Sequence, residues 1–245
     1  MEHKSVLLEE AIENLNIKED GIYVDGTLGR AGHSSEILKK LTSGHLYCFD
    51  IDNQAIEKSD VILKKISNNY TIIKANFSTI KEELVKLGVE KVDGILLDIG
   101  VSSPQFDDPK RGFSYRYDTR LDMRMDQSQK LDAYQIVNEY EFNDLVRILR
   151  NYGEEKFAKE IARAIEKQRI VSPIETTGQL VDLIKSALPA KVLNKKGHPA
   201  KQSFQALRIE VNNELENLKI ATEKALRLLK PKGRCVIITF HSLED

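Results

Sequence analysis

The chain has 245 residues, 41% hydrophobic and 31% charged, enough to bury a substantial core as one large domain or a domain with an insertion. Its 37 Lys and Arg stand against 38 Asp and Glu, a net charge of −1, so the overall balance points to no polyanion and any such partner has to be read by a local patch. No apolar run approaches the ~20 residues that cross a bilayer, and Glu9, Glu10 and Glu13 break the stretch where a signal peptide would be apolar, so no membrane role and a cytoplasmic location are expected. The two cysteines lack CxxC spacing, and His3, His33, His45, His198 and His241 share no ligand spacing, so no disulfide framework and no metal are expected.

In chain order, the first signals are short apolar runs alternating with helical segments. IYVD (Ile22 to Asp25), LYCFD (Leu46 to Asp50), YTIIK (Tyr70 to Lys74) and DGILLD (Asp93 to Asp98) read as strands, and the segments between them space apolar residues three and four apart. This alternation predicts an α/β fold with a mostly parallel, doubly wound sheet covered on both faces. Right-handed crossovers then place every strand carboxyl end on one edge, where ligands of open α/β sheets bind.

After Gln105 the texture changes to a charged, irregular stretch, followed by helical patterns near 131–137, 141–152, 154–168 and 176–187. No strand candidate interrupts them, so 106–205 reads as a helical insertion rather than one long loop. The α/β pattern resumes with one long helix, roughly 203–229, stopped by Lys230-Pro231-Lys232-Gly233 before a last strand, CVIITF. Residues 1–105 and 206–245 together form the predicted ligand-binding domain, with Cys48 and Cys235 inside its strands.

Three strand ends carry the ligand signals. The first runs into DGTLGRAGHS, where Gly26, Gly29 and Gly32 let the backbone approach a ligand and turn into a helix N-terminus. The spacing is GxxGxxG, not the GxGxxG of dinucleotide folds. Asp50 closes the second strand at the distance where an acidic residue accepts bonds from ribose hydroxyls, although Asp50 or Asp52 also suits a helix cap before Asn53, Asp52 better. Asn76-Phe77 ends the third, where the ring either packs beside a purine or closes the core. Together they indicate an adenosine-type ligand, and a sulfonium cofactor suits this glycine spacing better than NAD.

The runs DGTLGRAGHS, FDID, LLDIGVSSPQFDDPKRGFSYR, LDMRMD, SFQALRIEVNNEL and TFHSLED closely resemble the bacterial S-adenosylmethionine-dependent methyltransferases that modify N4 of a cytosine in 16S ribosomal RNA of the small ribosomal subunit. The resemblance covers nearly the whole chain. It implies a class I, Rossmann-like methyltransferase domain with an inserted all-helical domain. It also implies an S-adenosyl-L-methionine site on Ala31, Gly32, His33, Asp50, Phe77, Asp98 and Gln105, with Gly29 in the same turn. Relatives continue past FHSLED, so the last strands of the sheet are expected to be missing here.

The fourth strand end, ILLDIGVSSPQ, suits this chemistry. The lone pair of a cytosine amine is delocalised into the ring, so acceptors have to hold its hydrogens and favour a tetrahedral nitrogen. Asp98, Ser102, Ser103 and the turn at Pro104 supply such acceptors; the residues alone leave open whether Asp98, a serine or the carbonyl before Pro104 does so. Methylation at C5 would need an attacking thiolate, for which neither strand cysteine is placed.

Two basic neighbourhoods stand out for the substrate. Lys110, Arg111, Arg116, Arg120 and Arg124 interleave with Phe113, Tyr115 and Tyr117, though nearby aspartates are expected to pair with some of these arginines. The span from Leu183 to Ile209 contains no acid and holds Lys185, Lys191, Lys195, Lys196, Lys201 and Arg208. Basic groups neutralise phosphates and aromatics stack on splayed bases, so Arg111, Lys195, Lys196 and Lys201 are the candidate RNA contacts. A DNA amino-methyltransferase shares the polar strand exit, and the resemblance over RGFSYR and FQALRIEVN is what speaks against it. A non-catalytic cofactor-binding module is the rival of another class, and both a monomer and a homodimer stay open.

Overall fold

The computed structural model describes residues 5–194 and 196–245. The chain divides into two compact units, the part up to Gly100 together with Leu215–Asp245, and Val101–Glu214.

The first unit is built on five parallel strands, β1 (Ile22–Asp25), β2 (His45–Asp50), β3 (Tyr70–Lys74), β4 (Val92–Asp98) and β5 (Leu229–Ile238), in the order β3-β2-β1-β4-β5. The doubly wound parallel sheet predicted from the alternation is present. Helices α1 (Leu8–Leu15), α2 (Gly32–Lys40), α3 (Asn53–Leu63) and α4 (Ile80–Lys86) precede or link the strands. β4 is buried at every position from Val92 to Leu97, which is why Ile95, Leu96 and Leu97 read as a continuous apolar run: a strand covered on both faces has no polar side to alternate with, and the buried Asp93 is held by Lys230 at 2.7 Å and the Ile22 N–H at 3.0 Å. Leu15, Ile37, Leu46, Cys48 and Leu63 fill one core cluster, and Val24, Phe49, Leu84, Ile95 and Leu97 fill the other. Cys235 is only partly buried.

The second unit is helical: α5 (Ser103–Asp107), α6 (Ala133–Glu139), α7 (Phe142–Asn151), α8 (Ala158–Val171), α9 (Thr177–Ala187), α10 (Ala190–Leu193) and α11 (Lys201–Asn212). Its core gathers Phe113, Leu121, Met123, Ile136, Ile148, Ile161, Leu180 and Phe204, so the irregular stretch after Gln105 contributes buried side chains of its own.

Two expectations at the chain's last elements need correction. The single helix over 203–229 is two, α11 and α12 (Glu214–Leu228), broken at Asn213 with φ +50. Asparagine tolerates the left-handed region and terminates α11, its N–H meeting Glu210 O at 3.4 Å. Lys230-Pro231-Lys232-Gly233 is likewise no stop before the strand but lies inside β5. The pairing slips between Val92 and Gly94, whose partners are Leu229 and Arg234, and Lys232 takes φ +68 in the extra residues.

Candidate active site

β1 ends in Asp25, 1% exposed, which organises the turn that follows. Its carboxylate accepts the Ser34 hydroxyl at 2.6 Å and the Thr27 N–H at 3.0 Å. Gly26 packs directly on β4: a Cβ there would lie 2.3 Å from Leu97 Cδ2 and 3.2 Å from Phe77 Cβ. Gly29 and Ala31 then take φ +49 and +59. A left-handed alanine is strained backbone, held here by the bonds around it.

Asp50 supplies the main restraint. One of its oxygens accepts the Gly29 N–H at 2.8 Å and the other the Asp52 N–H at 2.8 Å, while Ser59 donates to the Gly29 carbonyl at 2.8 Å. Asp52 is the cap of α3, accepting the Gln54 N–H at 3.0 Å, as its position predicts. Burial pushes the Asp50 carboxyl up to about 6, against the pull of the Asp52, Gly29 and Ile51 N–H donors and with the help of the Asp52 charge. Each carboxylate oxygen takes two bonds, so beside the three N–H donors Asp50 retains capacity for a ligand hydroxyl. A ribose hydroxyl would fill it, and a turn with two left-handed residues brings backbone close to the ligand. These residues therefore fit the adenosine moiety of S-adenosylmethionine.

Asp98 ends β4, its N–H donating to Thr27 Oγ1 at 2.7 Å, so the first and fourth strand ends are tied together. His33, 4% exposed, points inward: Nε2 lies 3.1 Å from Val6 O and Nδ1 3.8 Å from Asp98 Oδ2. With both ring nitrogens turned to protein groups, His33 has its backbone to offer a cofactor. Gly32 leaves room for the segment before α1, since a Cβ there would lie 1.9 Å from Ser5 Oγ. Phe77 is half-buried in the 3-10 turn after β3, beside Gly26.

Sequence reasoning missed Asp25, Thr27, Ser34 and Ser59, which shape the edge without facing a ligand. The signal for the first two was present, as an aspartate two residues before a threonine N–H is an Asx-turn pattern. It also missed Phe240, 56% exposed, whose ring lies 3.5 Å from where a Cβ of Gly100 would stand, at the exit of β4.

In the second unit, Gln105 is buried and its Oε1 accepts the Ser102 N–H at 3.1 Å, while Pro104 occupies the first turn of α5. Arg111 corrects the sequence expectation. It is 2% exposed, and its Nη2 donates to Arg124 O and Met125 O at 3.0 Å each, so it braces the LDMRMD loop and presents no charge to solvent. Arg124 pairs with Asp122 at 2.7 Å, as the interleaved aspartates foretold, and Arg120 pairs with Asp132, beyond that stretch, at 2.8 Å. Lys196 and Lys201 are exposed, and Lys195 lies outside the described residues.

The two basic neighbourhoods meet through aromatic rings. His198 stacks on Tyr115 with centroids 4.2 Å apart and planes 12° apart, and Phe204 closes on Tyr115 edge-on at 5.7 Å. His198 Nδ1 accepts the Ala200 N–H at 3.2 Å and its carbonyl the Lys201 N–H at 3.0 Å, fixing the entry to α11. Burial, then the Lys185 charge, hold its pKa below the usual imidazole value. Among the described residues no helix is long and apolar enough to cross a membrane, and no group of three or more His, Cys, Asp or Glu is arranged to hold a metal ion.

The profile of the MraW methylase family matches residues 1–245. The chain is 59% identical over 244 residues to Ribosomal RNA small subunit methyltransferase H of Exiguobacterium sibiricum, covering 100% of this chain and 78% of that protein. Among solved structures it is similar to an rRNA methylase from Streptococcus thermophilus (22% identity, TM-score 0.31, covering 38% of this chain and 52% of that one). It is also similar to a precorrin 8W decarboxylase from Methanobacterium thermoautotrophicum (17% identity, TM-score 0.32, covering 37% and 46%).

Proposed function

Because the chain belongs to the MraW methylase family, we propose that it transfers the methyl group of S-adenosyl-L-methionine to the exocyclic N4 amine of a cytosine in 16S ribosomal RNA, in the cytoplasm. The name of its 59% identical relative supports the small-subunit rRNA as substrate. The observation that carries the chemistry is the sheet edge, where Asp50 and Asp98 end the two strands that flank β1 and are both bonded to the β1–α2 turn.

Asp50 would receive a ribose hydroxyl, Gly29, Ala31, Gly32 and His33 would line the turn with backbone, and Phe77 would flank the purine. Gln105 is assigned to the same cofactor. When bound, the sulfonium supplies an electrophilic methyl group. Asp98 would accept a hydrogen of the amine and so localise the nitrogen lone pair, with Ser102, Ser103 and the carbonyl before Pro104 as further acceptors. Lys196 and Lys201, with Lys195, would grip phosphates of a single-stranded RNA segment, and Arg111 supports the loop beneath.

Incubation with methyl-labelled S-adenosylmethionine and either small ribosomal subunits, free rRNA or DNA tests the reading. Label is expected in N4-methylcytosine of the RNA. Label in DNA, or in C5-methylcytosine, would overturn it.

A further inference from the structure

The two nitrogens of the buried His33 ring face different partners. Nε2 lies 3.1 Å from the Val6 carbonyl oxygen. A carbonyl only accepts, so Nε2 carries a hydrogen and donates it in both the neutral and the charged ring. Nδ1 lies 3.8 Å from Asp98 Oδ2. A neutral ring therefore turns a lone pair toward a carboxylate, a repulsive meeting, and one added proton on either Nδ1 or Oδ2 makes it attractive. The pair is arranged to hold one proton. Thr27 fixes the backbone of Asp98, and the neighbouring Asp25 carboxylate is engaged by Ser34 and Thr27, while Arg30 is exposed. That leaves Asp98 as the carboxylate at ion-pair distance from the ring among the described residues.

We propose that His33 and Asp98 form a proton-accepting couple in the methyl transfer, with Asp98 meeting the target amine and His33 taking the proton behind it. This rests on the methyltransferase reading above. An amine that has gained a methyl group is positively charged and still carries two hydrogens. It becomes the neutral product when one N–H bond breaks, the electron pair staying on nitrogen, and an O–H bond forms on Asp98. That O–H bond then breaks as Nδ1–H forms, leaving a carboxylate beside an imidazolium whose other hydrogen stays on Nε2, donated to the Val6 carbonyl. Release of the proton to water restores the couple. The separation of 3.8 Å has to shorten for the transfer, and catalytic hydrogen bonds commonly tighten once substrate is bound. His33 acts through Asp98 and is a positioning residue, with Asp98 the group that touches the reacting atoms.

The first test is 15N NMR of the His33 ring in the cofactor-free chain, beside Asp98→Asn. Nε2 is expected to be the hydrogen-bearing nitrogen facing Val6 in both, and the Nδ1 resonance to shift when the facing carboxylate is replaced. An Nδ1 resonance unchanged by Asp98→Asn would overturn the couple. The second compares His33→Gln with the unsubstituted chain in single-turnover methylation across pH. Glutamine retains a donor for Val6 but takes no proton, so the rate is expected to fall about 100-fold and its pH profile to lose one ionisation, with S-adenosylmethionine affinity within about threefold. A weakened affinity with an unaltered pH profile would mean that His33 merely supports the turn. Failure of the unsubstituted chain to methylate any cytosine would overturn the reaction itself. That result is distinct from failure of the couple alone, in which cytosine is methylated and the profile of His33→Gln is unchanged.

Discussion

Asp50 restrains the glycine turn and waits for a ligand with the same two oxygens, and its acidity registers the compromise. Burial lifts the carboxyl from the ordinary 3.8 to about 6. A raised carboxyl binds more protons in the folded chain than in the unfolded one between those values, so its contribution makes stability fall as pH rises from about 4 to 6. The full difference corresponds to at most about 3 kcal/mol. Urea unfolding at pH 4, 5, 6 and 7 of the ligand-free chain and of Asp50→Asn is expected to show this decline in the former and a smaller one in the latter. Ligand binding should run the opposite way. Hydroxyl donors favour the ionised carboxylate, so S-adenosylmethionine affinity measured by calorimetry is expected to rise as pH passes 6, and Asp50→Asn to lose most of that rise along with most of the affinity.

At the scale of elements, Asn213 decides that two helices stand where one was expected. A left-handed residue without a special side chain costs about 1–2 kcal/mol, and asparagine or glycine escapes most of it. Asn213→Ala is therefore expected to lower the melting temperature by about 2–4 °C while Asn213→Gly leaves it nearly unchanged, as scanning calorimetry would read. Loss of stability in both variants to the same degree would place the effect in the asparagine side chain instead. This break was illegible in the sequence because apolar residues keep helical spacing across it, and periodicity does not report a single positive φ. The strands were legible because each is short, apolar and bounded by turn residues, down to β4 with its buried Val92–Leu97. β5 was read late by several residues, since Pro231 and Gly233 mark both a helix end and a bulge. In the site, Asp50 and Asp98 were legible as carboxylates at strand ends, and Asp52 as a cap. Arg111 was misread because residue type reveals charge but not direction, and its guanidinium turns inward to two carbonyls.

Across the whole molecule the near-zero charge conceals a local surface. Tyr115 and His198 stack, so Arg116 beside the one ring and Lys196 and Lys201 near the other belong to one exposed neighbourhood. If RNA phosphates lie there, each lysine lost should release about one fewer counterion, and a single strand contributes about 0.7 per phosphate to the salt slope. Lys196→Glu with Lys201→Glu is expected to weaken RNA binding at low salt and flatten the slope of log affinity against log salt by about 1–2. An unchanged slope in filter binding would take this surface off the RNA path.

The pairing of β4 with β5 sets the order in which the molecule can be made. Ile95 lies beside Cys235, and the whole of Val101–Glu214 is threaded between them in the chain. On a ribosome, β1 to β4 emerge first and must wait, with one flank of β4 unclaimed, while the helical unit is synthesised and free to fold on its own contiguous sequence. Closing so long a loop is slow for entropic reasons, and an unpaired strand flank is open to the wrong neighbour in the meantime. Pulse-labelled hydrogen exchange during refolding should find the amides of β5 among the last protected. A chaperone that shields the flank of β4 should raise the yield of folded protein more than one that acts on the helices.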